Sequence, residues 1–188
     1  MTDFTRREIK TKFMELLSEK NFDKITVKEL VDACGISRNT FYYHYHDIFE
    51  VMEDIFQCEI MREVEDEKRY GSLKEAFLLA TKFVQDNRKA MLHLHQSTKR
   101  IFFEDYLIRV SDKIIKEYIF QQAEGLEVDE SDINLLSVFY RHGLLGILKE
   151  WLDSGLQGGE EKLIERVAFI LEGNIRISLT KISSDSSK

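Results

Sequence analysis

Apolar side chains fall at helical spacing from the start of the chain. Phe4, Ile9, Phe13, Leu16 and Leu17 form one stripe on a first helix expected from about Asp3 to Glu19. A loop, Asn21-Phe22-Asp23-Lys24, leads into TVKELVDACGISRNTFYYHYHDIFEV, residues 26–51. That stretch reads as two short helices joined by a tight turn, followed by the start of a third. Thr26 opens the first, and Glu29 three residues later completes a capping-box pattern. Leu30, Val31 and Ala33 give it apolar contacts. Cys34-Gly35-Ile36 is the connector, with Gly35 where the chain commonly needs φ > 0. Ser37 caps the next helix. Ile36 and Phe41 are spaced to bury and to fix the angle between the two helices. Arg38, Asn39, Thr40, Tyr42, Tyr43 and His44 remain as a hydrogen-bonding surface. Asp47 with Glu50 marks a fourth helix, from about Ile48 to the acidic run Glu63-Val64-Glu65-Asp66-Glu67.

Beyond Tyr70-Gly71-Ser72 the pattern stays helical. Ser72 and Glu75 form another capping box, and helices are expected to about Gln85, from about Lys89 to Ser97, and from about Phe103 to Gln122. Two longer ones follow, from Ser131 to Asp153 and from Glu160 to Lys181, separated by Ser154-Gly155-Leu156-Gln157-Gly158-Gly159. Together these give an all-α chain of about nine helices. Three helices with a helix-turn-helix form a head over residues 1–50, with a linking helix to about 69. A helical body spans 71–182, and 183–188 is expected to be a disordered tail. The last two helices carry more apolar residues than one face can hold. Either they are buried all round within the chain, or each packs one face on its own core and the other on a partner. The second arrangement makes Leu144, Ile147, Leu148, Trp151, Val167, Ile170, Leu171 and Ile175 the expected dimer interface, with Gly143 and Gly146 allowing close helix approach.

A helix-turn-helix places a small protruding helix in the major groove, although the same shape occurs in proteins that never touch DNA. The outward residues favour DNA. Arg38 can pair with guanine and Asn39 with adenine, while Thr40, Tyr42, Tyr43 and His44 can donate to phosphates. The net charge of −7 at first opposes this. Its distribution does not: residues 1–50 carry a net of −1 and the remainder −6. Arg6, Arg7, Lys10, Lys28 and Arg38 can still make a locally positive face.

The absence of proline agrees with an all-helical chain. There is no apolar run of about 18 residues and no signal-peptide core, so a cytoplasmic location with no membrane partner is expected. Cys34 and Cys58 read as small core residues in a reducing compartment. The pairs His44/His46 and His93/His95 are spaced two apart, which points the rings to different sides of a helix. No metal or cofactor is therefore expected. Nor is an enzyme, since phosphate-loop, nucleophile-elbow and dinucleotide signatures are missing. His93, Phe102, Phe103, Tyr106, Tyr118, Phe139, Tyr140 and His142 mark a ligand pocket in the body, or ordinary core packing.

The head resembles that of the TetR family of bacterial transcription regulators. The family pattern is a threonine-capped helix, A-x-G-[VI]-[ST], three variable residues, an aliphatic or aromatic residue, then Y-x-H-[FY]. This chain has Ala33-Cys34-Gly35-Ile36-Ser37, then Phe41-Tyr42-Tyr43-His44-Tyr45. The resemblance implies DNA contacts from Thr26, Lys28, Arg38, Asn39, Thr40, Tyr42, Tyr43 and His44. It also implies a homodimer on a double-stranded operator, and a repressor released by a small-molecule effector. One position departs: the lysine usual four residues after the motif histidine is Ile48 here. The phrases TFYYHYHDIFEVMEDIF and VFYRHGLLGILKEWLDSGL resemble a subgroup that includes regulators of dihydroxyacetone kinase operons. That subgroup implies an alternative, an activator working with a kinase-like protein coactivator.

Overall fold

The computed structural model describes residues 2–57, 72–157 and 160–186. Among them are nine α-helices and no strand: α1 (Thr2–Glu19), α2 (Val27–Cys34), α3 (Arg38–His44), α4 (Ile48–Ile55), α5 (Leu73–Asp86), α6 (Arg88–His95), α7 (Arg100–Ala123), α8 (Glu130–Asp153) and α9 (Glu160–Ser186). The expected all-α class is therefore observed. A 3₁₀ turn at Phe22–Lys24 occupies the expected loop after α1. The acidic run 63–67, Cys58 and the boundary at Tyr70-Gly71 lie outside the described residues. The chain divides into two compact units, Met1–Asp66 with Lys82–Glu104, and Glu67–Thr81 with Asp105–Lys188.

In the first unit α1 supplies the central stripe. Ile9, Phe13 and Leu17, four residues apart, are fully buried with Leu30, Val31, Phe41, Val51, Met52, Ile55, Met91 and Leu94. Phe4 does not join them: it is 65% exposed, with the Arg7 guanidinium 5.7 Å from its ring. It precedes Ile9 by five positions, about 140° around the helix from the stripe. Aromatic rings tie this core to the segment after α6. Phe22 packs edge-on against Phe13 at 6.0 Å and lies 5.1 Å from Phe49, which in turn lies 5.2 Å from Phe102. Phe56 stacks on Phe103 at 5.7 Å.

Two polar links run beside the rings. The Leu17 carbonyl accepts a 2.7 Å hydrogen bond from His93 Nδ1. The Asp23 carboxylate accepts from both the backbone N–H and the hydroxyl of Thr98, at 2.9 and 2.8 Å. Residues 82–104 thus belong to the unit that holds the helix-turn-helix, which the sequence pattern did not reveal.

In the second unit the inward faces of α8 and α9 hold Ile133, Tyr140, Leu144, Trp151, Ile164, Val167, Leu171 and Leu179. Tyr140 Oη and Ser178 Oγ share a 3.0 Å hydrogen bond, and Arg141 pairs with Asp112 of α7. Helix α9 continues through Ser186, past the limit of 182 set by the serine-rich composition. Its last turns are held by the Ser184 hydroxyl on the Thr180 carbonyl and by Ser183 Oγ, which accepts from the Glu127 N–H.

The Thr98 N–H, then its hydroxyl, hold the Asp23 carboxyl below the usual aspartate range. A carboxyl lowered in the folded state stabilises the fold above about pH 4, and loses that contribution as pH falls through the lowered value. Asp23→Asn is therefore expected to lower the urea midpoint at neutral pH, with the gap to wild type closing as pH falls through the lowered value. A gap that stayed constant with pH would show that the ionised carboxylate is not what Thr98 recognises.

Candidate nucleic-acid interface

The helix-turn-helix is assembled by backbone geometry and caps. Thr26 is extended, and its side chain accepts from the Glu29 N–H at 3.2 Å. The Glu29 carboxylate pairs with Lys20 at the end of α1, so this capping residue also ties α2 to α1. Gly35 ends α2 in the left-handed region at φ 65°, and the Ile36 N–H returns to the Val31 carbonyl at 3.1 Å. Ser37 then accepts from the Thr40 N–H at 3.1 Å and shares a 2.9 Å hydrogen bond with the Thr40 hydroxyl. Asp47 caps α4 through the Phe49 and Glu50 N–H groups, at 2.8 and 3.0 Å. Glu50 reaches back to the His46 N–H at 2.6 Å.

These constraints sort the candidate residues. Phe41 is fully buried, and it orients α3. Arg38, Asn39, Tyr42 and Tyr43 are exposed on the opposite face, Tyr43 to 77%. Positions i, i+1, i+4 and i+5 share one side of a helix, so the four form a continuous polar and aromatic surface. Thr26 and Lys28 are exposed at the start of α2. Thr40, held by Ser37, and His44, edge-on to Tyr43 at 5.1 Å, are half-buried. Ile48 is half-buried at the first position of α4.

Tyr45, the residue after α3, has a role the sequence reading missed. Its ring is 1% exposed. Its hydroxyl donates to Asp54 Oδ2 at 2.6 Å and accepts from Arg6 Nε at 3.4 Å. Arg6 Nη2 and Lys10 Nζ approach the same Asp54 oxygen at 3.3 and 3.7 Å. Burial pushes the phenol well above its ordinary range, so it remains a donor. The available signal was a tyrosine at a position whose ring must be buried, because a buried hydroxyl needs a partner. Cys34 is half-buried, and burial, then the Glu8 carboxylate, pushes its thiol up to about 11. A thiol raised that far is a poor nucleophile at neutral pH.

The eight pocket candidates are divided between the two units. His93, Phe102 and Phe103 fall in the first unit, and Tyr106, Tyr118, Phe139, Tyr140 and His142 in the second. His93 is engaged with Leu17, Phe103 is a core residue, and Phe139 is 69% exposed. His142 is exposed, bonded to the Val138 carbonyl of its own helix at 2.8 Å. Of the expected dimer residues, Leu144, Trp151, Val167, Leu171 and Ile175 are buried, and Ile147 and Leu148 are half-buried. Ile170 alone among the eight is strongly exposed. The outward apolar face is Leu135, Val138 and Phe139 on α8, with Leu163, Phe169, Ile170 and Ile177 on α9. Leu163, Ile170 and Ile177 recur every seven residues, which keeps them on one seam. Among the described residues no helix is long and apolar enough to cross a membrane, and no cluster of three metal-ligand side chains occurs.

Known proteins share this architecture. Residues 14–55 match the model for bacterial regulatory proteins of the tetR family, and residues 71–173 match a transcriptional regulator C-terminal region. The chain belongs to the TetR family of transcriptional regulators. It is 22% identical over 174 residues to the HTH-type dhaKLM operon transcriptional activator DhaS of Lactococcus lactis subsp. lactis (strain IL1403), covering 92% of this chain and 91% of that protein. A 57-residue stretch is 28% identical to the uncharacterized HTH-type transcriptional regulator YxbF of Bacillus subtilis (strain 168), covering 30% of this chain and 15% of that protein. Among solved structures, the dihydroxyacetone kinase operon activator DhaS superposes with a TM-score of 0.77 at 19% identity, covering 92% of this chain and 97% of that one. A TetR regulator from Streptococcus agalactiae 2603V gives 0.61 at 19% identity, over 90% and 94% of the two chains.

A side chain at Gly35 would meet no atom within 4 Å. The cost of Gly35→Ala is therefore that of the left-handed backbone alone, about 1–2 kcal/mol. Denaturant unfolding is expected to show a loss of that size. A loss above about 4 kcal/mol, as for a disrupted core, would mean that the turn does not set the angle between α2 and α3 in this way.

Proposed function

We propose that this chain binds a pseudo-palindromic operator as a homodimer, with α3 of each protomer in the major groove. The observation that carries this reading is the exposed Arg38, Asn39, Tyr42 and Tyr43 surface on a helix capped by Ser37 and anchored by Phe41. Arg38 and Asn39 lie at its N-terminal end, where recognition helices reach base edges, and Tyr42, Tyr43 and His44 serve phosphates. Dimerisation buries apolar side chains that α8 and α9 leave exposed, Phe139 and Phe169 among them. Two heads roughly 34–36 Å apart then meet half-sites one helical turn apart.

The resemblance implied a repressor released by a small-molecule effector. Near full-length similarity to a protein named as an operon activator supports a second reading, activation with a protein coactivator. Deleting the gene and measuring transcript from the operator-bearing promoter separates them: a rise means repression, a fall activation. A stoichiometric second protein recovered with the purified regulator favours the coactivator, and a retained small molecule the effector.

Selection from a random duplex pool at fixed salt is expected to enrich one inverted repeat, and footprinting that protects only one half-site would contradict the dimeric reading. Arg38→Ala is expected to relax preference at one base pair by about 1–3 kcal/mol, whereas Tyr42→Phe weakens every sequence alike. Equal loss on every operator variant for Arg38→Ala would remove its base-reading role. Phe139→Asp with Phe169→Asp is expected to give a folded monomer in sedimentation; a surviving dimer would move the interface elsewhere.

A further inference from the structure

We propose that Arg6 is a DNA phosphate-binding residue, held in place by Tyr45 and Asp54 beside the end of α3. This rests on the reading of the chain as a DNA-binding regulator. Ile48 puts an apolar, half-buried side chain where the family pattern has a lysine. An isoleucine offers no donor and no charge to a phosphate.

Arg6 lies in the second turn of α1, and its guanidinium carbon is 5.3 Å from the centre of the Tyr45 ring. Tyr45 directly follows His44, so the guanidinium is fixed against the C-terminal end of the recognition helix. The anchoring is directional. Nε reaches the Tyr45 hydroxyl and Nη2 reaches Asp54. The side chain nevertheless stays 46% exposed, while Asp54 is 12% exposed. Lys10, which shares that carboxylate, is only 17% exposed. Of these two described cations, Arg6 is therefore the more exposed and Lys10 the more buried.

A guanidinium is suited to this double duty. It carries five N–H donors in a rigid fork, so a carboxylate behind it can fix its plane while a phosphate oxygen approaches from outside. Preorganisation lowers the side-chain entropy lost on binding. An arginine serving only as a surface ion pair would have the same geometry but no part in the salt dependence of DNA binding. That difference is measurable.

The experiment uses the full-length protein and the duplex recovered by selection, with affinity measured by fluorescence anisotropy across a salt series. Arg6→Ala is expected to reduce the slope of log K against log salt by about 1 and to weaken binding roughly tenfold at fixed salt. Tyr45→Phe keeps the buried ring, which the family pattern accepts, and removes only the orienting hydroxyl. It is expected to weaken binding roughly threefold in the parent and clearly less in the Arg6→Ala background, where only the Tyr45–Asp54 bond is left to lose. An unchanged slope for Arg6→Ala, or equal effects of Tyr45→Phe in both backgrounds, overturns the proposal. Should Arg6→Ala unfold, Arg6→Gln and Arg6→Lys are compared instead, and identical slopes for those two overturn it equally. Wild-type protein that binds no duplex removes the DNA-binding reading itself. That outcome is distinct from wild-type binding with an Arg6-independent slope, which removes only the role of Arg6.

Discussion

The candidate DNA-facing surface depends on burial of one stripe of α1. Ile9, Phe13 and Leu17 lie one above another, and α2, α4 and α6 all pack on this helix. The recognition helix has seven residues, too few to be stable in water by itself. It exists because Ser37 caps its start, Phe41 is buried along it and Tyr45 is buried at its end. Removing about 3–5 kcal/mol of aromatic burial from this core would release the surface that carries Arg38 and Asn39, without touching either residue.

Polar groups inside the first unit set angles that apolar packing leaves loose. The Tyr45 hydroxyl fixes α3 to Asp54 on α4 and to Arg6 on α1. His93 on α6 reaches the Leu17 carbonyl, and Asp23 holds Thr98 just before α7. Each such bond contributes little by itself. Their value is directional, since a hydrogen bond tolerates little misalignment and a hydrophobic contact tolerates much. Residues 82–104 therefore form part of the unit that holds the helix-turn-helix.

In the second unit the relevant feature is apolar surface in excess of what one core can absorb. Helices α8 and α9 each bury one face and expose another that carries Phe139, Phe169 and Ile170. A monomer gains nothing from leaving phenylalanine in water, and this face is the proposed site of association. Regulators of this family bind DNA and dimerise.

The sequence by itself determined whatever depends on near neighbours along the chain. The caps at Thr26, Ser37, Asp47 and Ser72, the left-handed turn at Gly35 and the succession of helices were all legible, because each follows from hydrogen bonds and torsions spanning four residues or fewer. Only tertiary structure decided which of two apolar faces turned inward on α9, that His93 would meet the Leu17 carbonyl of α1, and that Tyr45 would meet Arg6 and Asp54. Periodicity fixes the angle between two side chains on one helix. It carries no information about the rotation of that helix against its neighbours, which is set when many side chains compete for the same interior volume.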